Sequence, residues 1–206
     1  MKRTQLFVFT ICLLSSFHLL AQKEETVVGK SGMGFSGIWG GYKHQITQLG
    51  NGKSYINGGF FGLEFGKSLL IGFGNYALVD EVKWDGNSNQ NFNLKWHPFL
   101  LQYGLKNFKS VHPQVGFEIG RGRVLFGDES DHVLVMQPTV GLEVNIFRWF
   151  HFGLDGGYRL VSNTSIEDLR DDNLNGWFGQ ATFKFGFSWG RYHPTKPRVS
   201  PRTQAL

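Results

Sequence analysis

The sequence predicts an all-β chain, folded as a single eight-stranded antiparallel up-and-down transmembrane β-barrel, and three observations carry the prediction. The first is period-2 alternation sustained over about ten residues, the length of a strand that crosses a bilayer. It is clearest between Val133 and Trp189. There Leu134, Met136, Val140, Leu142, Val144 and Ile146 oppose Thr139, Gly141, Glu143 and Asn145. Next, Phe152, Leu154, Tyr158 and Leu160 oppose His151, Gly153, Asp155, Gly157 and Arg159. Finally Ala181, Phe183, Phe185, Phe187 and Trp189 oppose Gln180, Thr182, Lys184, Gly186 and Ser188. The second observation is composition: 28 glycines and 16% aromatics fall inside these strand-like runs rather than in linkers. The third is that connections alternate between polar and short, aromatic-flanked segments, as outer loops and periplasmic turns do in bacterial barrels.

Residues 1–21 read as a signal peptide. Lys2 and Arg3 precede an apolar core from Leu6 to Leu20, and Ala21 offers a small residue for cleavage before Gln22. The single cysteine, Cys12, lies inside that core behind Ile11, so the mature chain is expected to have no disulfide and no thiol chemistry. Removing Lys2 and Arg3 from the 21 basic residues leaves 19 against 16 acidic ones, an excess of three. Much of that excess sits in residues 191–206 (Arg191, Lys196, Arg198, Arg202), a Pro-containing tail expected to be disordered. A domain-wide basic surface for nucleic acid is therefore not expected.

The barrel domain, residues 22–190, is read in order. The first strand is Gly34–Ile46, its parity blurred by glycine, and Gln48–Ser54 is a turn-rich break. The second is Tyr55–Gly66, with Lys67 and Ser68 as a tight connection to the third, Leu69–Val82. Trp84–Asn91 is a polar loop. The fourth strand, Phe92–Leu105, contains Pro98, which removes a ladder donor and predicts a bulge or a local break in pairing. Val111–Leu125 is the fifth, Gly127–His132 an acidic loop, and Asn163–Gly176 the longest connection before the last strand. No 3.6-residue pattern of useful length appears, so helix content should be low.

Two sets of residues follow from this layout. Phe147, Trp149, Phe150 and Trp189 are expected at the periplasmic membrane interface, and Tyr55, Trp84 and Trp177 at the outer one, where Trp and Tyr form girdles. Glu64, Lys95, Glu118, Glu143, Asp155, Arg159 and Lys184 fall on the parity assigned to the interior. Eight strands leave a lumen only wide enough for side chains, so these mixed charges predict a filling ion-pair network rather than a pore.

The leader ending in LLAQ, the stretch Gly153–Val161 (GLDGGYRLV) and the closing Thr182–Trp189 (TFKFGFSW) resemble the small outer-membrane β-barrel proteins of Bacteroidota. The chain is more distantly similar to the OmpX- and OmpA-type barrels. The resemblance implies an outer-membrane location and a closed antiparallel barrel, and little about chemistry. The chain departs from the pattern by continuing past Trp189, where such barrels often end on an aromatic residue.

Motifs that would carry chemistry fail on spacing. No His-x-Ser of the lipid A deacylase type occurs; His132 with Asp128, Ser130 and Asp131 is the nearest approach to a loop-borne acyl-transfer set. The histidines His44, His97, His112, His132, His151 and His193 show no metal-ligand spacing. Asp85–Asn89 opens like a calcium loop, but Gln90 stands where glycine is required and Trp96 where the bidentate Glu belongs. Gly66-Lys67-Ser68 and Gly52-Lys53-Ser54 lack the leading glycine of a phosphate loop. The acidic residues Glu167, Asp168, Asp171 and Asp172 mark the 163–176 connection as a solvated loop or a contact surface.

The expectation is thus a non-enzymatic barrel with a structural or surface-interaction role and no cofactor. Its expected partners are outer-membrane lipid and lipopolysaccharide, the barrel assembly machinery, and a surface partner at loop 163–176. The alternatives are a soluble periplasmic lipocalin-like binding barrel, a lipid A-modifying barrel enzyme and a narrow passive pore.

Overall fold

The computed structural model describes residues 33–49, 52–79, 82–83, 91–166, 169 and 171–189. The expected leader and basic tail, and with them Trp84, Glu167 and Asp168, lie outside the described residues. The strands follow in order as β1 (Phe35–Leu49), β2 (Gly52–Phe65), β3 (Leu69–Leu78), β4 (Val82–Lys83) and β5 (Asn91–Gly104). After them come β6 (Val111–Phe126), β7 (Glu129–Phe147), β8 (Phe150–Ser162) and β9 (Gly176–Ser188), with a short helix α1 (Asp171–Leu174) before β9.

Neighbouring strands pair antiparallel throughout, and β1 against β9 and β3 against β5 close the sheet on itself. β3 and β4 both lie on β5 and form one interrupted strand, so the barrel has eight strands. The end bearing both barrel termini and the turns after Phe65, Gly104 and Phe147 is called lower here, and the opposite end upper. In the lower β2–β3 turn, Ser68 N–H donates to the Phe65 carbonyl at 3.1 Å. Both central residues take positive φ there, 56° at Gly66 and 59° at Lys67, as a type I′ turn demands.

Two expected loops are strand instead. The ladder of β1 and β2 runs to the Leu49–Gly52 pair, because Leu49 packs fully buried at the upper end. β7 begins at Glu129, so the supposed acidic loop Gly127–His132 shrinks to a turn at Gly127 and Asp128, with Gly127 at φ 59°. Strand length explains both. β6 has 16 residues and β7 19, whereas a tilted strand crosses the hydrocarbon in roughly 9–11.

The surplus forms a second storey in which the alternation turns inside out. Outward-facing residues in the lower storey are apolar and exposed, among them Phe73 at 69% and Phe187 at 71%. Together with Phe61, Phe99, Val140 and Leu154 they make a belt around the wall. In the upper storey the apolar side chains point inward instead. Leu49, Ile56, Phe92, Leu94, Trp96, Val124, Val133, Val135 and Val161 are buried there in one cluster. Ile166, Leu169 and Leu174 of the β8–β9 connection close that cluster from above. An apolar exterior suits hydrocarbon and an apolar interior suits water, so the inversion marks where the barrel leaves the belt.

Lys95 is corrected by the same geometry. It is exposed on the outer wall, between the buried Leu94 and Trp96, and is not a lumen charge. Pro98 does break the pairing of β5 with β3, which lapses between the Phe73–Phe99 and Tyr76–Trp96 pairs. It introduces no bulge, and the register is the same on both sides of the gap. Parity therefore carries through, and Lys95 shares the outward face of Phe99 and Leu101.

Candidate functional site

The lower lumen is polar because β1, β2, β6, β7 and β9 contribute buried hydrophilic side chains there, and β5 and β8 add the half-buried Gln102, His151 and Asp155. Glu143 of β7 is its hub. The Lys184 ammonium on β9 donates to both carboxylate oxygens, at 3.0 and 3.3 Å. His151 Nδ1 lies 2.8 Å from Oε1, His112 Nε2 lies 3.6 Å from the same oxygen, and Gln102 Nε2 donates to Oε2 at 3.4 Å. Trp39 covers the hub from below, with the Lys184 ammonium 5.0 Å from its ring and the His151 ring 4.3 Å away. Four groups thus surround one buried carboxylate, as a charge removed from water requires.

A second layer lies above it. Lys43 of β1 donates to Glu118 of β6, and its ammonium also stands 5.3 Å from the Phe60 ring and 5.9 Å from Tyr76. Asp155 of β8 accepts from Gln114 at 2.5 Å, Gln180 at 3.3 Å and Thr182 at 3.5 Å. The voids beside these two layers measure about 10 Å³ each, room for roughly one water apiece. Below the hub the lumen widens to a cavity of about 590 Å³ lined by Trp39, Glu64, Arg148, His151, Ser188 and Trp189.

The predicted lumen residues therefore divide. Glu118, Glu143 and Lys184 enter ion pairs, whereas Asp155 is held by amides and a hydroxyl. Glu64 accepts from the Ser36 and Ser188 hydroxyls, at 3.0 and 2.5 Å. Arg159 points inward but sits under the upper apolar cluster. Its Nε donates to the Leu174 carbonyl at 2.9 Å, and its two terminal nitrogens find no partner among the described residues. Lys43, His112 and His151 are the additions. The parity of His151 is readable from Asp155 four residues on, while the glycines at 37, 40 and 41 hide that of Lys43.

The aromatic residues lie on the outer wall near the two ends. Phe147 and Trp149 stack at 5.4 Å, Trp149 meets Phe150 at 5.9 Å, and Trp189 meets Phe35 at 5.0 Å, all at the lower end. Nearer the upper end Trp177 is 76% exposed and packs edge-on against Tyr158 at 5.0 Å, and Tyr55 is 43% exposed. The loop-borne set at the β6–β7 turn does not assemble. Asp131 accepts the backbone N–H groups of His132 and Ser165, at 2.7 and 2.5 Å. Among the described residues, no group of three or more His, Cys, Asp or Glu is placed to hold a metal ion.

No family model matches the chain, and no curated protein matches it in sequence. Solved structures do match in fold. Neisserial surface protein A superposes with a TM-score of 0.52 at 11% identity, covering 74% of this chain and 97% of that one. OprG from Pseudomonas aeruginosa gives a TM-score of 0.48 at 14% identity, over 75% of this chain and 97% of its own. The attachment invasion locus protein Ail of Yersinia pestis gives 0.46 at 13% identity, over 76% and 99%. The likeness to Neisserial surface protein A is one of fold, a closed eight-stranded antiparallel β-barrel.

Proposed function

We propose that this chain is a transmembrane barrel of a Gram-negative outer membrane, with its lower end in the periplasm, acting as a closed structural and surface-interaction protein. The apolar belt supports the membrane location, since so large an exposed apolar surface on a monomer needs a covering. The resemblance of Gly153–Val161 and Thr182–Trp189 to barrels of Bacteroidota supports a source in that group. Outer-membrane lipid and lipopolysaccharide, the assembly machinery and a partner at connection 163–176 are its partners in this reading.

The observation that carries the closed state is the filled lumen. Above the lower cavity, a permeating ion would meet the Glu143 hub, then the Lys43–Glu118 pair, then an apolar cluster roofed by Leu169 and Leu174. The same filling argues against a lipocalin-like barrel, because its apolar interior is occupied by Phe92, Leu94 and Trp96 and leaves a ligand no room. The engagement of the Asp131 carboxylate by the His132 and Ser165 backbone N–H groups argues against acyl transfer at the β6–β7 turn. In this account the Glu143 ion pairs serve to fill and fix the lumen.

Planar-bilayer recording of the folded protein, checked by heat-modifiable migration on gels, tests the reading. Conductance at the level of the bare bilayer is expected. Steady single-channel steps would overturn the closed state, and a protein that stays soluble without detergent would overturn the membrane location.

A further inference from the structure

Above the apolar belt, the outer wall is cationic on three adjacent strands. Lys95 and His97 of β5, Arg121 and Arg123 of β6 and His132 of β7 all face outward and are exposed. The register sets Lys95, Arg123 and His132 in one row, and His97 beside Arg121 in the next. Like charges directly opposite one another weaken a strand pair, so the fold gains nothing from this arrangement. Among the described residues, no salt bridge joins a carboxylate to Lys95, His97, Arg121 or Arg123, and His132 alone has a carboxylate near it, that of Asp131.

The patch also lies at a particular height. On β6 the outward residues run Val115, Phe117 and Ile119 before Arg121, and on β5 Leu101 and Phe99 precede His97. At the matching distance from the lower turns, β7, β8 and β9 still present Met136, Leu160 and Trp177, whereas β1, β2 and β3 set His44, Asn57 and Asn75 among Ile46, Tyr55 and Ala77. The upper edge of the belt therefore dips on this side of the barrel, with neutral polar groups on β2 and β3, and on β5 and β6 cations fill the dip. A charge on the lipid face is tolerated near the interface and not at mid-bilayer, so the dip belongs at headgroup level. There an anion can supply what the chain does not.

We propose that Lys95, Arg121 and Arg123, flanked by His97 and His132, form a binding site for the phosphates of an outer-leaflet phosphoglycolipid of the lipid A class. The inference rests on the outer-membrane orientation proposed above and not on the closed lumen. Two arginines favour this chemistry, because the guanidinium fork engages phosphate oxygens in pairs. Two adjacent rows of cations match a glycolipid with two phosphates better than a lipid with one.

The test uses the full-length protein folded in detergent micelles, titrated with purified lipid A, chemically dephosphorylated lipid A or phosphatidylglycerol. The wild type is expected to bind lipid A and to lose that binding as salt rises or when the phosphates are removed. A K95Q/R121Q/R123Q triple variant is expected to bind roughly a hundredfold more weakly, taking each cation at a charged surface as worth about a fivefold factor. A K95R variant keeps the charge and should bind as the wild type does. Equal affinity of the triple variant, or equal binding of dephosphorylated lipid A or phosphatidylglycerol, overturns the site while leaving the barrel reading intact. Failure of the wild type to show heat-modifiable migration in any detergent overturns both.

Discussion

Lys184 and Glu143 face each other across the lower lumen at 3.0 Å, from β9 and β7, with β8 between them and His151 of β8 closing the same carboxylate at 2.8 Å. Three consecutive strands are thereby fixed at one height by a single buried charge. Replacing Lys184 with Met removes the cation and leaves Glu143 to two imidazoles and an amide. Breaking one side of a buried pair typically costs about 3–5 kcal/mol, so K184M should lower unfolding stability in detergent by that order. The double variant K184M/E143M should recover most of the loss, because no charge is then stranded. A single variant as stable as the wild type in urea titration would show that the pair holds nothing.

Glycine on the inner wall is a packing requirement at Gly58. A Cβ there would stand 2.1 Å from the Tyr76 ring and 2.2 Å from the Asn75 carbonyl oxygen. The backbone oxygen cannot move without breaking the β2–β3 ladder. G58A should therefore cost about 1–3 kcal/mol, the usual penalty of overpacking. G59A, one residue away on the outer face, meets only the Gly41 carbonyl oxygen at 3.5 Å and should be near neutral. Heat-modifiable migration and detergent-exchange refolding of the two variants give the comparison; similar yields from both would remove the argument.

The lower storey was legible because its alternation has one sense, apolar outward and polar inward, over a bilayer's height. Glu118, Glu143, Asp155 and Lys184 were found by counting along that parity. The upper storey was not, because the hydrophobic pattern keeps its period while reversing its meaning. On β7 the inward residues change from Glu143 and Gln137 to Val135 and Val133 without a break in the strand. A count of strand length against bilayer thickness is the signal that would have exposed it. Lys95 falls to the same inversion, since Phe92, Leu94 and Trp96 beside it point inward in the upper storey, and Pro98 removes a hydrogen bond without shifting parity.

Asp131 stands at the upper end of β7, clear of the belt, and ties the β8–β9 connection to the wall. The Ser165 N–H, and after it the His132 N–H, hold its carboxyl below the ordinary value of 3.8. The folded pKa is lower than the unfolded one, so the stabilisation is present above the ordinary value. It is lost as pH falls through the folded pKa. The protection of the Ser165 amide relative to its intrinsic exchange rate should thus hold down to the carboxylate range and fall below it. D131N should abolish that acid dependence. An unchanged pH profile in D131N would disconnect the residue from the tie.

Leu174 is fully buried beneath the upper end, and its carbonyl accepts from Arg159 at 2.9 Å. Leu174 therefore holds the connection in two ways, by its side chain beside Ile166 and Leu169 in the apolar cluster and by its carbonyl on Arg159. Truncation to alanine keeps the carbonyl and removes the anchor, at a cost of about 2–5 kcal/mol for a buried leucine. Part of that cost should appear as local opening, because Ile166 and Leu169 are then the buried apolar anchors left to the connection among the described residues. Arg170 lies inside the connection and is a trypsin target by sequence. Intact cells bearing L174A should be cleaved there roughly 5–30-fold faster than wild-type cells, the factor that corresponds to 1–2 kcal/mol of opening free energy. Cleavage at equal rates would mean that the connection opens without leaving its apolar seat.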